Sequence, residues 1–402
     1  MFWTYLKLGF RNIRKQKRRS FLTLIGIVIG IAAVIALVSL GQGFEQSVAE
    51  EFQGLGADKI FINPGQGIIQ TGGPSTEGLT ERDIEVVERV PSVLLAGGMT
   101  FETATATYRG DQASIRVIGL STDESQGMLM EANSFIIDGG RTIRDTDRSS
   151  IVAGYRVQET LFDRSVELRS QIEINDLRYT VTGTLERTGD PEYDRGVLLP
   201  LDRAQEITGL GDNVQYIIAQ IGSGFEPQEA KEEIEDELRQ HKNVEEGEEP
   251  FTVSTTEDVL NALSNILSVV QAIVLGIASI SLLVGGIGIM NTMYTSVSQR
   301  TNEIGVMKAI GATDRQILAL FVTESAIIGL VGGLIGTSIG YGISIGAGRL
   351  ITATAALPIS VSVSPGLVAG AMGFSMITGV LSGILPARKA AKMEPVDALR
   401  YE

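Results

Sequence analysis

Four long stretches of this chain carry almost no charge, and each is long enough to cross a bilayer. A hydrocarbon core about 30 Å thick needs about 20 apolar residues as a helix. Phe21 to Leu40 supplies twenty residues without a charge. Val259 to Gln299 is uncharged throughout; its apolar heart is Ile266 to Met293, so a helix there extends past the bilayer. Gln316 to Gly348 carries only Glu324, and Leu350 to Ala387 carries no charge. The last helix is expected to open at Ser364-Pro365, since serine caps helix N-termini and proline is favoured at the first helical position. The first stretch has a competing reading as a cleaved signal peptide. Its 20-residue core exceeds the roughly 7–15 residues of such a segment and no convincing cleavage signal follows, so an uncleaved span is expected.

The average composition hides a partition. Residues 41–258 hold 42 of the 48 acidic and 18 of the 33 basic side chains, a net of −24, and the rest of the chain carries +9. The acidic balance therefore describes one domain on a basic membrane base and indicates no nucleic-acid partner. It fits a solvated surface domain, adaptation to high salt, or repulsion from anionic headgroups. Lys7, Arg11, Arg14, Lys15, Lys17, Arg18 and Arg19 precede the first span. Arg300, Lys308 and Arg315 lie between the second and third, and Arg388, Lys389, Lys392 and Arg400 follow the fourth. Basic residues near spans stay on the cytoplasmic side. Both termini are then inside, and residues about 46–257 are extracytoplasmic.

The expected organisation follows from this. Residues 1–19 form a basic amphipathic cytoplasmic segment lying at the headgroups, or only an orienting leader. Residues 20–45 are the first span. Residues 46–257 are a large α+β domain inserted between the first and second spans, with 122–212 as a possible inserted subdomain. Residues 258–297 are a stalk and the second span, 298–312 an inner loop with a helix, and 313–348 the third span. An outer loop at 349–363, the fourth span at 364–387 and a tail at 388–402 complete the chain. Within the α+β domain, Thr80-x-x-Asp83 forms a capping-box pattern ahead of Ile84, Val87 and Val90 at helical spacing. Thr100–Arg109 and Ala113–Ile118 alternate like paired strands around Gly110-Asp111, and Pro227–Gln240 reads as a helix burying Ala230, Ile234 and Leu238. Gly65–Gly78 reads as a flexible loop, because a dinucleotide fingerprint would need a third glycine and a following helix.

Several chemistries lack their residues. The chain has no cysteine and one histidine, His241, so thiolate sites and multi-histidine metal centres have no ligands; no metal site is expected. No lysine follows a glycine, so there is no P-loop in these residues. One G-x-S-x-G match, Gly336 to Gly340, falls inside the third span, away from the strand-to-helix turn and the histidine that a nucleophile elbow needs. No catalytic residue is expected. Glu324 is the lone ionisable residue within the spans, read as a packing or headgroup-level carboxylate or as a transport site. Small residues are frequent instead. Gly26/Gly30, Gly329/Gly333, Gly332/Gly336, Gly336/Gly340 and Gly379/Gly383 are GxxxG pairs, which let helix backbones approach closely.

The inner loop is the most informative segment. Gly311 follows Lys308-Ala-Ile310 as a helix-stopping glycine, and Thr313-x-x-Gln316 caps the next helix. A short helix of about Arg300 to Ile310 is expected, with Ile304, Met307 and Ile310 on an apolar side and Asn302, Glu303 and Lys308 on a polar one. Such a helix can dock in a partner's groove or lie on the headgroups. The run Ser298-Gln-Arg-Thr-Asn-Glu303-Ile-Gly305-Val-Met-Lys308-Ala-Ile-Gly311 resembles the signature loop of the MacB/FtsX-type ABC permease superfamily. The ending from Pro386-Ala-Arg388 to Glu394-Pro395-Val-Asp-Ala398-Leu399-Arg400 is similar to that family's C-terminal motif. Leu8-Gly-Phe10-Arg11-Asn12 resembles its N-terminal segment, and Gly139-Gly-Arg141 with Leu198-Leu-Pro200-Leu resembles its periplasmic core domain.

The resemblance implies a permease that works as a dimer, with a second copy or a paralogue, on two copies of a cytoplasmic ABC ATPase that hold the ATP and magnesium. Because the chain starts at the membrane, that ATPase is expected on a separate polypeptide, and this chain is expected to be non-catalytic and to carry no cofactor of its own. The ATPase-contacting role of the inner loop passes to Arg300, Glu303, Ile304, Gly305, Met307, Lys308 and Gly311. Thr255-x-x-Asp258 agrees with a stalk helix that begins outside the membrane. The function implied is mechanotransmission from ATPase to outer domain, for export or extraction of an amphiphilic drug, peptide or lipoprotein. The other partners implied are membrane lipids and an extracytoplasmic adaptor. An FtsX-like protein that activates an extracellular enzyme without transport is the alternative; a membrane-anchored enzyme or receptor without an ATPase is a third reading.

Overall fold

The computed structural model describes residues 17–55, 57–65, 78–355, 361 and 363–400. Expectations for the basic segment ahead of residue 17, for most of the Gly65–Gly78 loop and for part of the outer loop 349–363 lie outside the described residues. In chain order the elements are helix α1 (Lys17–Leu55), strands β1 (Lys59–Pro64) and β2 (Leu79–Thr80), α2 (Glu81–Glu88), β3 (Val93–Tyr108), β4 (Asp111–Leu120), α3 (Gln126–Ala132), β5 (Ile137–Gly140), β6 (Ser150–Ala153) and α4 (Tyr155–Glu159). Next come β7 (Gln171–Ile174), β8 (Leu177–Leu185), α5 (Pro191–Asp194), β9 (Gly196–Pro200), α6 (Leu201–Thr208), β10 (Asn213–Val214), β11 (Tyr216–Ile221), α7 (Pro227–Lys242) and β12 (Phe251–Thr255). Helices α8 (Thr256–Gln299), α9 (Thr301–Ala309), α10 (Asp314–Ala355), α11 (Pro365–Ala391) and α12 (Pro395–Arg400) close the chain.

Four helices, α1, α8, α10 and α11, are long and apolar enough to cross a membrane, and the large α+β domain lies between the first and second of them. The chain divides into two compact units: residues 1–46, 265–350 and 359–402, and residues 47–264 and 351–358.

In the α+β unit, strand alternation builds one large sheet, ordered β12-β1-β11-β3-β4-β9-β6-β8-β5, with β7 joined to β3 and β8. The β3–β4 hairpin turns through Arg109-Gly110, both at positive φ, as a two-residue hairpin turn requires. Residues 122–212, the possible inserted subdomain, lie between β4 and β10 in sequence. They do not form a separate sheet: β9 pairs parallel to β4, with Val197 opposite Val117, and so extends the same one.

Each face of that sheet is covered. Ile60 and Ile62 of β1 share a core with Ile84 and Val87 of α2 and Ala230, Ile234 and Leu238 of α7. Phe61, pointing the other way, packs with Met128 and Leu129 of α3. A third core joins Ala106, Tyr108 and Val117 to Val157 of α4 and Ala204 of α6. Strands covered on both sides need no polar alternation, and β9 is accordingly buried along its length. Asp83 is fully buried under α7; it accepts from the Thr80 backbone N–H at 2.7 Å and pairs with Lys242 at 2.9 Å. Arg141 forks onto Asp147 at 2.6 and 2.8 Å, and this bond holds the Asp147 carboxyl below the usual carboxylate range. Burial pushes the Tyr193 phenol, packed between Phe101 and Phe135, up to about 12.

The helical unit is centred on Ile27, Ile31 and Ile35 of α1, Leu282, Ile289 and Met293 of α8, and Phe321 and Ile328 of α10. The paired glycines stand where these backbones meet. A Cβ on Gly26 would lie 3.2 Å from Gly285 Cα, and one on Gly30 3.2 Å from the Ala278 carbonyl oxygen. On α10, Gly336 and Gly340 meet α1, where added Cβ atoms would stand 2.9 Å from Val28 O and 2.7 Å from Ala32 O. Gly329 and Gly379 face each other between α10 and α11, where the Ser375 hydroxyl also donates to Gly329 O at 2.6 Å. Gly333 abuts Ser375, and Gly383 abuts the Ser325 side chain. Ser338 of the G-x-S-x-G match donates to Leu334 O within α10 at 2.9 Å, an ordinary intrahelical bond.

Candidate functional site

The inner loop forms a corner, a helix and a second corner, each set by local chemistry. Helix α8 ends at Gln299, and Arg300 turns the chain into α9, with Ile304 N–H returning to Arg300 O at 3.0 Å. At the far end Gly311 takes φ 101°, a left-handed conformation that favours glycine, and Ala312 N–H reaches Met307 O at 3.0 Å. Thr313 N–H then donates to the Gln316 side chain at 2.8 Å, and Gln316 N–H to the Thr313 hydroxyl at 3.4 Å. This reciprocal capping box starts α10. The same device starts α8, where Thr255 and Asp258 exchange bonds of 3.1 Å.

The seven residues expected to contact a partner separate into two groups. Ile304 is fully buried in the core with Phe321 and Val297, Gly305 is buried beside it, and Met307 is half-buried against the same core. Arg300 is mostly covered; it bonds Glu303 at 3.0 Å and Glu324 at 3.2 Å, and its guanidinium stands 5.5 Å from the centre of the Phe321 ring. Lys308 is also turned inward. It donates to Met393 O at 2.7 Å and pairs with Asp314 at 2.9 Å. Only Glu303 and Gly311 of the seven are exposed.

Burial divides this helix differently from residue type. Ile310, read on one apolar side with Ile304 and Met307, is 82% exposed, whereas Ile304 is fully buried. Ile310 follows exposed Val306 by four residues and buried Ile304 by six, so helical spacing places it on the outer side. Lys308, read on the polar side, follows buried Ile304 by four residues and is turned inward, where it donates to a carbonyl of the C-terminal segment 85 residues away.

The outer face of α9 is therefore Asn302, Glu303, Val306, Ala309 and Ile310, with Val306 also substantially exposed. Their spacing is the i, i+3/i+4, i+7 ridge of a helix that docks in a groove. Helix α12 packs against α9 and adds exposed Val396. Beside them a pocket of about 440 Å³ is lined by Tyr294, Ser298, Thr301, Lys389, Lys392 and Asp397, with Lys389 over the Tyr294 ring. The exposed apolar tips of Val306 and Ile310 thus stand on a helix whose other side is held by Ile304, Arg300 and Lys308.

The family of MacB-like periplasmic core domains matches residues 20–237, and that of FtsX-like permease C-terminal domains matches residues 275–395. An uncharacterised ABC transporter permease of Methanocaldococcus jannaschii is 32% identical, over 99% of this chain and 98% of its own. YknZ of Bacillus subtilis, also an uncharacterised ABC transporter permease, is 32% identical over 99% and 98%. The macrolide export ATP-binding/permease protein MacB of Bdellovibrio bacteriovorus is 30% identical over 99% of this chain, which spans 62% of that protein's length. Among solved structures, the periplasmic region of MacB from Actinobacillus actinomycetemcomitans aligns with 54% of this chain and 98% of its own, at 12% identity and a TM-score of 0.46. With one family matched over the first membrane helix and most of the α+β domain, and the other over the later membrane helices, the chain belongs to the MacB/FtsX-like ABC transporter permeases.

Proposed function

We propose that this multi-pass permease couples an ABC ATPase, carried outside these 402 residues, to movement of its α+β domain. Both termini and α9 lie on the cytoplasmic side, and the acidic domain lies outside. The distribution of lysine and arginine about the spans supports that orientation. The observation that carries the coupling role is α9 itself: Val306 and Ile310 exposed on a helix held by Ile304, Arg300 and Lys308. That arrangement receives a partner and does not yield under it.

Unbroken helices support mechanical transmission. Helix α8 runs 44 residues, about 66 Å at 1.5 Å per residue, twice the depth of a bilayer core. The bundle packs through glycines, and Glu324 is the lone buried ionisable side chain among the described residues of its membrane helices. An ion relay through the spans has little to work with; the substrate we propose, as the family resemblance implies, is an amphiphile. Helix α8 exposes Val269, Ile273, Ile280, Leu283 and Ile287, which lipid and a second permease copy would cover.

The test is co-purification with the ATPase from one host. Wild type is expected to retain it, Val306→Asp to lose it, and Glu303→Ala to weaken it. Retention by Val306→Asp equal to wild type would place the dock elsewhere.

A further inference from the structure

Arg300 and Glu324 are a poor choice if their only task is packing. Glu324 lies in α10, 24 residues from Arg300, and its side chain is 9% exposed; that of Arg300 is 20% exposed. Taking two charges out of water costs more than an apolar pair of the same volume would, and an apolar pair packs such a corner at least as well. What charges add is direction. The guanidinium is a planar fork with fixed donor positions. Here it engages three groups on two helices: Glu303 of α9, and Glu324 and the Phe321 ring of α10.

The position of this fork matters mechanically. Helix α9 is joined to its neighbours through two corners, Arg300 at one end and the Gly311 turn at the other. A nine-residue helix between two corners can pivot on them. The Arg300 fork removes that freedom at one corner and hands any remaining movement to α10. Glu324 lies ten residues into α10, about 15 Å along its axis at 1.5 Å per residue, so the handover point is well inside the helix.

We propose that Arg300 and Glu324 form the pin that transmits displacement of α9 into α10. They are positioning residues: they act through the two helices and do not touch the ATPase. Glu324 is thereby a coupling residue and not a carboxylate for a transported ion. The proposal rests on α9 being the ATPase dock, and it separates docking from coupling: Val306 and Ile310 bind, Arg300 and Glu324 transmit.

The separation can be measured on the full-length permease with its ATPase in lipid nanodiscs. The chain has no cysteine, so Gly346→Cys, near the other end of α10 and with no neighbour within 4 Å of an added Cβ, takes a single reporter label. Two quantities are read, the affinity for the ATPase and the change in label signal on adding ATP. In Glu324→Gln the affinity is expected to stay within about twofold of wild type. The ATP-dependent change at residue 346 is expected to fall at least about fivefold, the lower range of an allosteric coupling. Arg300→Lys, which keeps the charge but not the fork, is expected to lose the ATP-dependent signal to the same degree when read at saturating ATPase. The exchange Arg300→Glu with Glu324→Arg is expected to restore part of the signal. An unchanged signal in Glu324→Gln overturns the pin. Equal loss of affinity in Glu324→Gln and Arg300→Lys also overturns it, because the pair would then only shape the docking surface. Failure of the wild-type permease to bind the ATPase contradicts the docking reading itself, and the pin with it.

Discussion

At Gly329 a single added methyl group would stand 2.5 Å from the Ser375 carbonyl oxygen, well inside van der Waals contact. Overpacking of this kind costs about 1–3 kcal/mol. Gly329→Ala is therefore expected to lower the Tm of the purified chain in detergent. Gly342→Ala, with no neighbour within 4 Å, is expected to keep or raise it, since alanine is the better helix former. Equal Tm values for both would refute the close crossing of α10 and α11. In the outer domain Asp83→Ala removes the capping-box acceptor of Thr80 and the carboxylate paired with Lys242, which keeps its bond to Gly78 O; the loss is expected to cost about 1–3 kcal/mol. Hydrogen exchange in α2 and α7 of the intact protein should report it. The exposed Glu85–Arg89 pair is the control; Glu85→Ala should cost under about 1 kcal/mol. Asp147 gives the pH dependence. Its folded carboxyl is held low by Arg141, so its contribution is complete above an unfolded value of about 3.9 and is lost as pH falls through the folded one. Exchange protection around residues 141–150 should thus be flat from about pH 5 to 8 and drop only in stronger acid. Asp147→Asn should abolish that drop while costing about 1 kcal/mol or less, because Arg141 is partly solvated.

At the scale of elements, the sequence was most legible where structure is made locally. Thr255/Asp258, Thr313/Gln316 and Ser364-Pro365 each mark a helix start within four residues, and each cap is formed as read. Ala230, Ile234 and Leu238 share one face because 3.6 residues make a turn. Helix α9 was half legible. Its extent followed from the glycine stop, but residue type alone did not say that Ile310 would be exposed while Ile304 is buried, and Lys308 answers a distant carbonyl. The fork from Arg300 to Glu324 spans two helices and has no sequence pattern at all. The two faces make opposite predictions. Ile304→Ala opens a cavity in the core and should cost about 2–5 kcal/mol, seen as a lower Tm. Ile310→Ala should change stability by less than about 0.5 kcal/mol while weakening ATPase binding.

At the scale of the whole molecule, spans and charge were readable because a bilayer imposes length and apolarity on every crossing segment. Sheet order was not. Alternation identified individual strands, but nothing local says that β4 and β9, paired at Val117 and Val197, are parallel neighbours. The chain divides into a glycine-packed helical unit and a sheet domain covered on both faces. The central claim is that an ATPase seats on α9 from the cytoplasmic side. The most direct measurement uses the absence of cysteine: a lone Ile310→Cys in the full chain, crosslinked in sealed membrane vesicles containing the ATPase. The account predicts a crosslink to the ATPase, with a yield that changes on adding ATP, and labelling of residue 310 only by reagents that reach the cytoplasmic face. Labelling from the outer face, or no crosslink to an ATPase that is present, would contradict it.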